Sequence, residues 1–280
     1  MLPGIQDDVV DFVMSRWQAS GGFGFAPSLP ASVEDTYQAL QILETIQPVS
    51  ERELQELKRN PHLRAFLMHN EDKETWSLRT AYQYLVVCAF CGVCPDQGWI
   101  ERFLGKKLKE VVSLGERYYL TRIRREYPSF IAELLRRTGP DAPSMDDGRI
   151  LDRGRPDTWR TAEDLWRGLY LHEGSPAPFR TTKEELIRWL QACQTPDGGF
   201  GGLPGTTSFI ENTHWCLSAL ALLGGAPRSP DMARDFILRC KTRGGGFARK
   251  NGGAPFLYAT WHAVAGLTLL SKMERLTQRH

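Results

Sequence analysis

FVMSRWQASGGF (Phe12 to Phe23), WLQACQTPDGGF (Trp189 to Phe200) and FILRCKTRGGGF (Phe236 to Phe247) lie over one another without a gap. Each runs eleven residues from an aromatic side chain to a Gly-Phe pair, and thirteen residues beyond each Phe stands a threonine: Thr36, Thr213 and Thr260. Apolar or small residues then recur three, four, seven and ten positions on: Ala39, Leu40, Leu43 and Ile46; Cys216, Leu217, Leu220 and Leu223; Ala263, Val264, Leu267 and Leu270. That is the period of an amphipathic helix. Each copy therefore reads as a helix, a glycine-rich turn, a short loop and a second helix entered near the Thr, whose hydroxyl is expected to cap backbone amides there. Phe23, Phe200 and Phe247 are expected to pin the loops by burying their rings, an area effect worth about 2 kcal/mol each.

Clear repeats occupy residues 10–46, 186–223 and 234–271, and the interval between the first two leaves room for worn copies over 50–180, six hairpins in all. TWSLRTAYQYLVV from Thr75 and TWRTAEDLWRGLYL from Thr158 keep a Thr and the apolar spacing. The Pro, Gly and Asp-rich stretch Thr138 to Asp157 reads as a long inserted loop, so residues 1–280 are taken as one domain. A lone helical hairpin cannot bury both of its faces, so the hairpins must stack. Spacing alone leaves an open solenoid and a closed ring equally open.

Composition excludes several function classes. With 280 residues, 41% hydrophobic and 24% charged, the chain is an ordinary globular one. A net charge of +2 gives no case for nucleic acid as a partner. Glu101 to Arg137 carries ten Lys/Arg against five Glu, expected to be a solvated helix face or else a peripheral contact with an acidic membrane surface. No run approaches the roughly 18 apolar residues that span a bilayer, and MLPGIQDDVV lacks the features of a secretory signal, so a cytoplasmic location is expected. Six cysteines are then expected as free thiols. Cys88, Cys91 and Cys94 echo an iron-sulfur ligand run, but they end an apolar helix and read as small core residues. There is no phosphate-binding P-loop, no serine-nucleophile elbow and no DDxxD run, since Met145 to Asp152 has the wrong spacing.

WLQACQTPDGGFGG resembles the QW-type repeat of terpene cyclases, with Phe200 in place of the signature Trp, and TTSFIENTHWCLSALALLGG resembles a repeat of protein prenyltransferase β subunits. The resemblance implies an all-α fold, an (α/α)6 toroid of six helical hairpins around a central apolar funnel that takes an isoprenoid or isoprenoid diphosphate. It also places the chemistry around the repeat Thr. The zinc-dependent prenyltransferases set an Asp, a Cys and a His there, whereas the residues flanking Thr in this chain are Asp35, Asn212 and Ala259 before it and Tyr37, His214 and Trp261 after it. The zinc triad is missing. Asp35, His214 and His262 are the dispersed alternative, but no metal is the expectation.

Class II terpene cyclases resemble this chain differently, through a DxDD run that ends at the same Thr. Here it reads SVEDT, which places Glu34 on the family's proton donor, Asp35 beside it, and Ser32 where the first Asp would be. The resemblance implies Glu34 and Asp35 as an acid pair sharing a proton at a partly desolvated helix start. Tyr37, Trp215 and Trp261 would offer π faces to a carbocation. Arg249 and Lys250 would meet a diphosphate, with Asn212, His214 and His262 also at the mouth. The expected function is a small metal-independent cyclase. The alternatives are a prenyltransferase with a helical α-subunit partner, and a scaffold that binds isoprenoid or a partner without chemistry.

Overall fold

The structure, a computed structural model, describes residues 3–46, 50–69, 73–110, 113–127 and 159–277. In chain order its helices are α1 (Pro3–Met14), α2 (Val33–Thr45), α3 (Glu51–Arg59), α4 (Pro61–Met68), α5 (Leu78–Cys91), α6 (Gln97–Glu110), α7 (Leu114–Glu126), α8 (Ala162–Leu171), α9 (Lys183–Ala192), α10 (Ile210–Leu222), α11 (Pro230–Arg239) and α12 (Leu257–Thr277). The only strands among the described residues are the two-residue pair Phe23–Gly24 and Ala31–Ser32.

Six helices form an inner ring in which α2 packs on α5, α5 on α7, α7 on α8, α8 on α10 and α10 on α12, and α12 returns to α2. Other helices back this ring from outside, with α1 and α3 on α2, α4 on α5, α9 on α10 and α11 on α12, while α6 packs on the 3-10 turn Lys73–Thr75. The stack is therefore a closed toroid. Its wall is the apolar stripe read from the sequence: Ala39, Leu40, Leu43, Cys216, Leu217, Leu220, Ala263, Val264 and Leu267 are all buried.

The repeat follows from two local devices. Phe23, Phe200 and Phe247 are fully buried, as expected. The backbone N–H of each donates to the repeat Thr hydroxyl, at 3.0 Å for Thr36, 3.0 Å for Thr213 and 2.9 Å for Thr260. Each hydroxyl donates in turn to the carbonyl four residues back, on Ser32, Phe209 and Phe256. The Thr is thus the fourth residue of its helix and a clamp on the preceding loop. It does not cap its own helix; in α2 that role falls to Ser32, whose Oγ accepts from Asp35 N.

The second device is a glycine. Gly198 adopts φ +92°, and a Cβ there would stand 2.1 Å from the Met232 carbonyl of α11. Gly245 repeats this against Asp8 of α1, so the last hairpin docks on the first. Lys241 Nζ adds an ion pair to Asp8 at 2.6 Å across the same seam.

Two expectations change. Thr75 lies in a short 3-10 turn ahead of α5, whose cap is Ser77, so the clamp position of that hairpin is Ala81 and not Thr75. Cys88 and Cys91 are buried, their thiols pushed up to about 11 and about 12 by desolvation, but Cys94 is exposed beyond the end of α5 at Gly92. Thr158, the loop Thr138 to Asp157 and the stretch Met145 to Asp152 lie outside the described residues.

Candidate functional site

Counting from the first residue of each inner helix puts equivalent side chains at one height in the toroid. The fifth residue carries a ring in all six helices: Tyr37, Tyr82, Tyr118, Trp166, His214 and Trp261. They close into a circle, with centroid separations of 6.0 Å from Tyr37 to Tyr82, 5.1 Å from Tyr118 to Trp166, and 6.3 Å from Trp166 to His214. The circle continues at 5.3 Å from His214 to Trp261 and 6.5 Å from Trp261 back to Tyr37. Between Tyr82 and Tyr118 the Arg122 guanidinium lies 4.6 Å from one ring and 5.9 Å from the other. Five of these rings and Arg122 border a space of about 30 Å³, with Gln38, Gln83, Arg79 and Tyr119.

The second residue of each inner helix, one turn above the rings, is Glu34, Arg79, Gly115, Glu163, Glu211 or Tyr258. Three carboxylates at this mouth are each held by an arginine. Arg79 Nη2 meets Glu34 Oε1 at 2.6 Å, and Arg167 Nη2 meets Glu163 Oε1 at 2.5 Å. Arg249 meets Glu211 through Nε at 2.7 Å and through Nη2. Arg249, expected for a diphosphate, is therefore already neutralised. Its carbonyl also takes the Ile210 amide at the start of α10, one of the amides expected to serve an anion.

Beside this ring a cavity of about 400 Å³ is lined by Phe25, Ser32, Glu34, Asp35, Gln38, Arg79, Phe256 and Tyr258. Glu34 and Asp35 both reach it but differ in state. Glu34 accepts from Arg79 and from Gln38 Nε2 at 3.2 Å. Asp35 takes the Ser32 hydroxyl on Oδ2 at 2.6 Å. Burial pushes its pKa up, opposed by that hydrogen bond, with the Glu34 charge raising it further and Arg16 lowering it. The net direction for Asp35 is upward, towards its protonated form.

His214 and His262 do come together, Nδ1 to Nδ1 at 2.7 Å, so one ring donates and the other accepts. Burial pushes His214 down to about 4 and His262 well below its ordinary value, and both rings are neutral at pH 7. Trp215 packs edge-on to His262 at 5.4 Å. Asp35 does not join them. Among the described residues no three metal-ligating side chains cluster. Two nitrogens on one tetrahedral zinc stand about 3.3 Å apart, given Zn–N bonds of about 2.0–2.1 Å, and here they are in direct hydrogen bond. The donor set does not fit the zinc site implied by the prenyltransferases. Asn212 stands against Gly202, and Lys250 lines a separate cavity of about 260 Å³ with Asp197, Ser208 and Arg239, outside the mouth.

The closed double ring of hairpins agrees with a profile match to the prenyltransferase alpha-alpha toroid domain over residues 3–101, 168–231 and 213–280. The chain belongs to this family. It is similar to the protein farnesyltransferase subunit beta of Arabidopsis thaliana, 28% identical over 170 residues, which cover 57% of this chain and 32% of the relative. The geranylgeranyl transferase type-1 subunit beta of the same plant is 32% identical over 88 residues, 31% of this chain and 24% of the relative. Drimenyl diphosphate synthase of Streptantibioticus cattleyicolor is 35% identical over 81 residues, 28% of this chain and 15% of the relative. The chain thus spans a third or less of the length of these relatives. No helix among the described residues is long and apolar enough to cross a membrane.

Tyr82, Tyr118, Trp166, Arg79, Gln38 and Tyr258 were not singled out by the sequence. The signal that finds them is the cap: Ser77, Ser113 and Thr161 start the worn inner helices, and the ring stands five residues after each.

Proposed function

We propose that this toroid is an isoprenoid-processing enzyme that starts cyclisation, without a metal, by protonating a terminal alkene or epoxide in the 400 Å³ cavity. The observation that carries the reading is the division of labour between two adjacent carboxyls. Glu34 is paired with Arg79, while burial pushes the Asp35 pKa up. A carboxyl whose pKa is raised, within reach of a bound alkene, is what general acid catalysis calls for. Asp35 is therefore the proton donor, with Glu34, paired to Arg79, beside it. Phe25, Phe256 and Tyr258 supply π faces to the cation that follows. The cavity lies within the 300–1,000 Å³ common for small-ligand sites.

The test is incubation with farnesyl diphosphate, geranylgeranyl diphosphate and squalene, with and without chelator, followed by product analysis. Asp35→Asn should abolish cyclisation and Glu34→Gln should only weaken it. Full activity in Asp35→Asn would end the assignment. A second reading, a scaffold that binds an isoprenoid at its mouth without chemistry, draws support from the space of only about 30 Å³ between the rings of the aromatic circle. It predicts saturable binding of the same diphosphates with no product. Transfer to a protein acceptor with a helical α partner draws on the named relatives, and it requires a metal-binding stoichiometry that the donor set here does not favour.

A further inference from the structure

A diphosphate head group is multiply charged, and proteins hold it with unpaired cations and with free amides at helix starts. The mouth of this toroid has spent both on its own carboxylates. Among the described residues Arg79 is the only cation that lines the 400 Å³ cavity, against Glu34 and Asp35, and it is paired with Glu34 at 2.6 Å. The other two arginines of the mouth are taken in the same way, Arg167 by Glu163 at 2.5 Å and Arg249 by Glu211. Lys250 lines the separate cavity that also holds Asp197. The helix starts are occupied as well. Each is a partial positive charge that favours an anion, and the first turns of α2, α8 and α10 already carry Glu34 and Asp35, Glu163 and Asp164, and Glu211. In α2 the Asp35 amide donates to the Ser32 hydroxyl, and in α10 the Ile210 amide donates to the Arg249 carbonyl.

A diphosphate brought here meets carboxylates before it meets a free donor, and every guanidinium it recruits leaves a glutamate without its partner. For Glu211, whose side chain is 5% exposed, that means a buried unpaired carboxylate, a larger loss than one phosphate contact returns. The other walls of the cavity are the rings of Phe25, Phe256 and Tyr258 with Ser32 and Gln38, a lining for hydrocarbon bearing at most a hydroxyl or an epoxide oxygen. We propose that the substrate of this cavity is an isoprenoid without a diphosphate, a neutral alkene, alcohol or epoxide, and that the Arg–Glu pairs of the mouth exclude charged head groups. This deepens the proposed function and rests on it for the choice of cavity; the preference for an uncharged ligand follows from the ion pairs. It sets this chain apart from relatives whose names specify a diphosphate.

Titration calorimetry of the full chain with farnesol, farnesyl diphosphate and inorganic diphosphate, each at low and high salt, reads this preference without turnover. The wild type should bind farnesol about tenfold more tightly than farnesyl diphosphate, or better, and inorganic diphosphate should not saturate it. Glu34→Gln and Glu211→Gln, each checked for fold by circular dichroism, release Arg79 and Arg249. Each should raise the affinity for farnesyl diphosphate about tenfold, the effect of one charge-assisted hydrogen bond, and high salt should erase the gain. A wild type that prefers farnesyl diphosphate to farnesol overturns the inference, and so does an unchanged affinity in both folded variants. Either result leaves the proton donor standing, since product formation by Asp35→Asn decides that separately. An active Asp35→Asn with the preference for farnesol intact ends the proton-donor reading and upholds the neutral ligand.

Discussion

Replacing Thr213 by Val tests the clamp on which the repeat is built. Thr213 is fully buried, accepts the Phe200 N–H at 3.0 Å and donates to the Phe209 carbonyl at 2.9 Å. Val fills almost the same volume, so no cavity opens. The Phe209 carbonyl keeps the Thr213 amide at 2.9 Å, but the buried Phe200 N–H loses its partner. Leaving one such group unmet costs about 1–3 kcal/mol. With Tm falling roughly 2–4 °C per kcal/mol in domains of 150–250 residues, a loss of about 2 kcal/mol lowers Tm by about 4–8 °C. Thr213→Ser keeps both hydrogen bonds and removes one methyl, worth about 0.8 kcal/mol. Differential scanning calorimetry should rank the wild type above Ser and Ser above Val. Thr36→Val and Thr260→Val, with the same partners at 3.0 and 2.9 Å, should match Thr213→Val. A Val variant that melts within about 1 °C of the wild type, or above its Ser counterpart, would refute the clamp.

Gly245→Ala forces a side chain at φ +89° onto the Asp8 carbonyl, and should cost more than about 2 kcal/mol by thermal melting, whereas Gly244→Ala, with open space around it, should stay within about 0.5 kcal/mol. The His214–His262 pair makes the fold acid-sensitive. A His whose folded pKa lies below its unfolded 6.5 gives stability that is whole above pH 6.5 and is lost as pH falls towards the folded value of about 4. For His214 that amounts to about 3 kcal/mol over the window, and urea unfolding that is flat between pH 6.5 and 4.5 would contradict it. Asp35 has the opposite sign from a salt-bridged carboxylate: its folded pKa is raised, so the folded state binds more protons and stability falls as pH rises through that window. Asp35→Asn should therefore melt higher than the wild type at pH 7 while losing turnover, and equal melting at pH 7 would argue against the desolvated carboxyl.

The hairpin repeat was legible because its clamp demands particular residues at fixed distances, whereas closure into a ring came only from the family resemblance. Phe23 and Thr36 must meet as donor and acceptor, and Gly21 must pass under the His62 carbonyl, so neither the residue types nor the spacing can drift. Where the clamp is absent the signal fades: Ala81, Arg117 and Leu165 take the Thr position in α5, α7 and α8, and these hairpins are held by helix packing that many apolar residues satisfy. The site was legible in part for the same reason. Tyr37, His214 and Trp261 follow a repeat Thr, whereas Tyr82, Tyr118 and Trp166 have none before them and were missed, although they complete the same circle. The state of the acid pair was beyond sequence, because SVEDT does not reveal that Arg79, 45 residues further on, binds Glu34 and not Asp35. That one cross-hairpin contact is the reason the proposed proton donor is Asp35 and not Glu34. The guanidinium pairs with Glu34, and partial burial pushes the Asp35 pKa up.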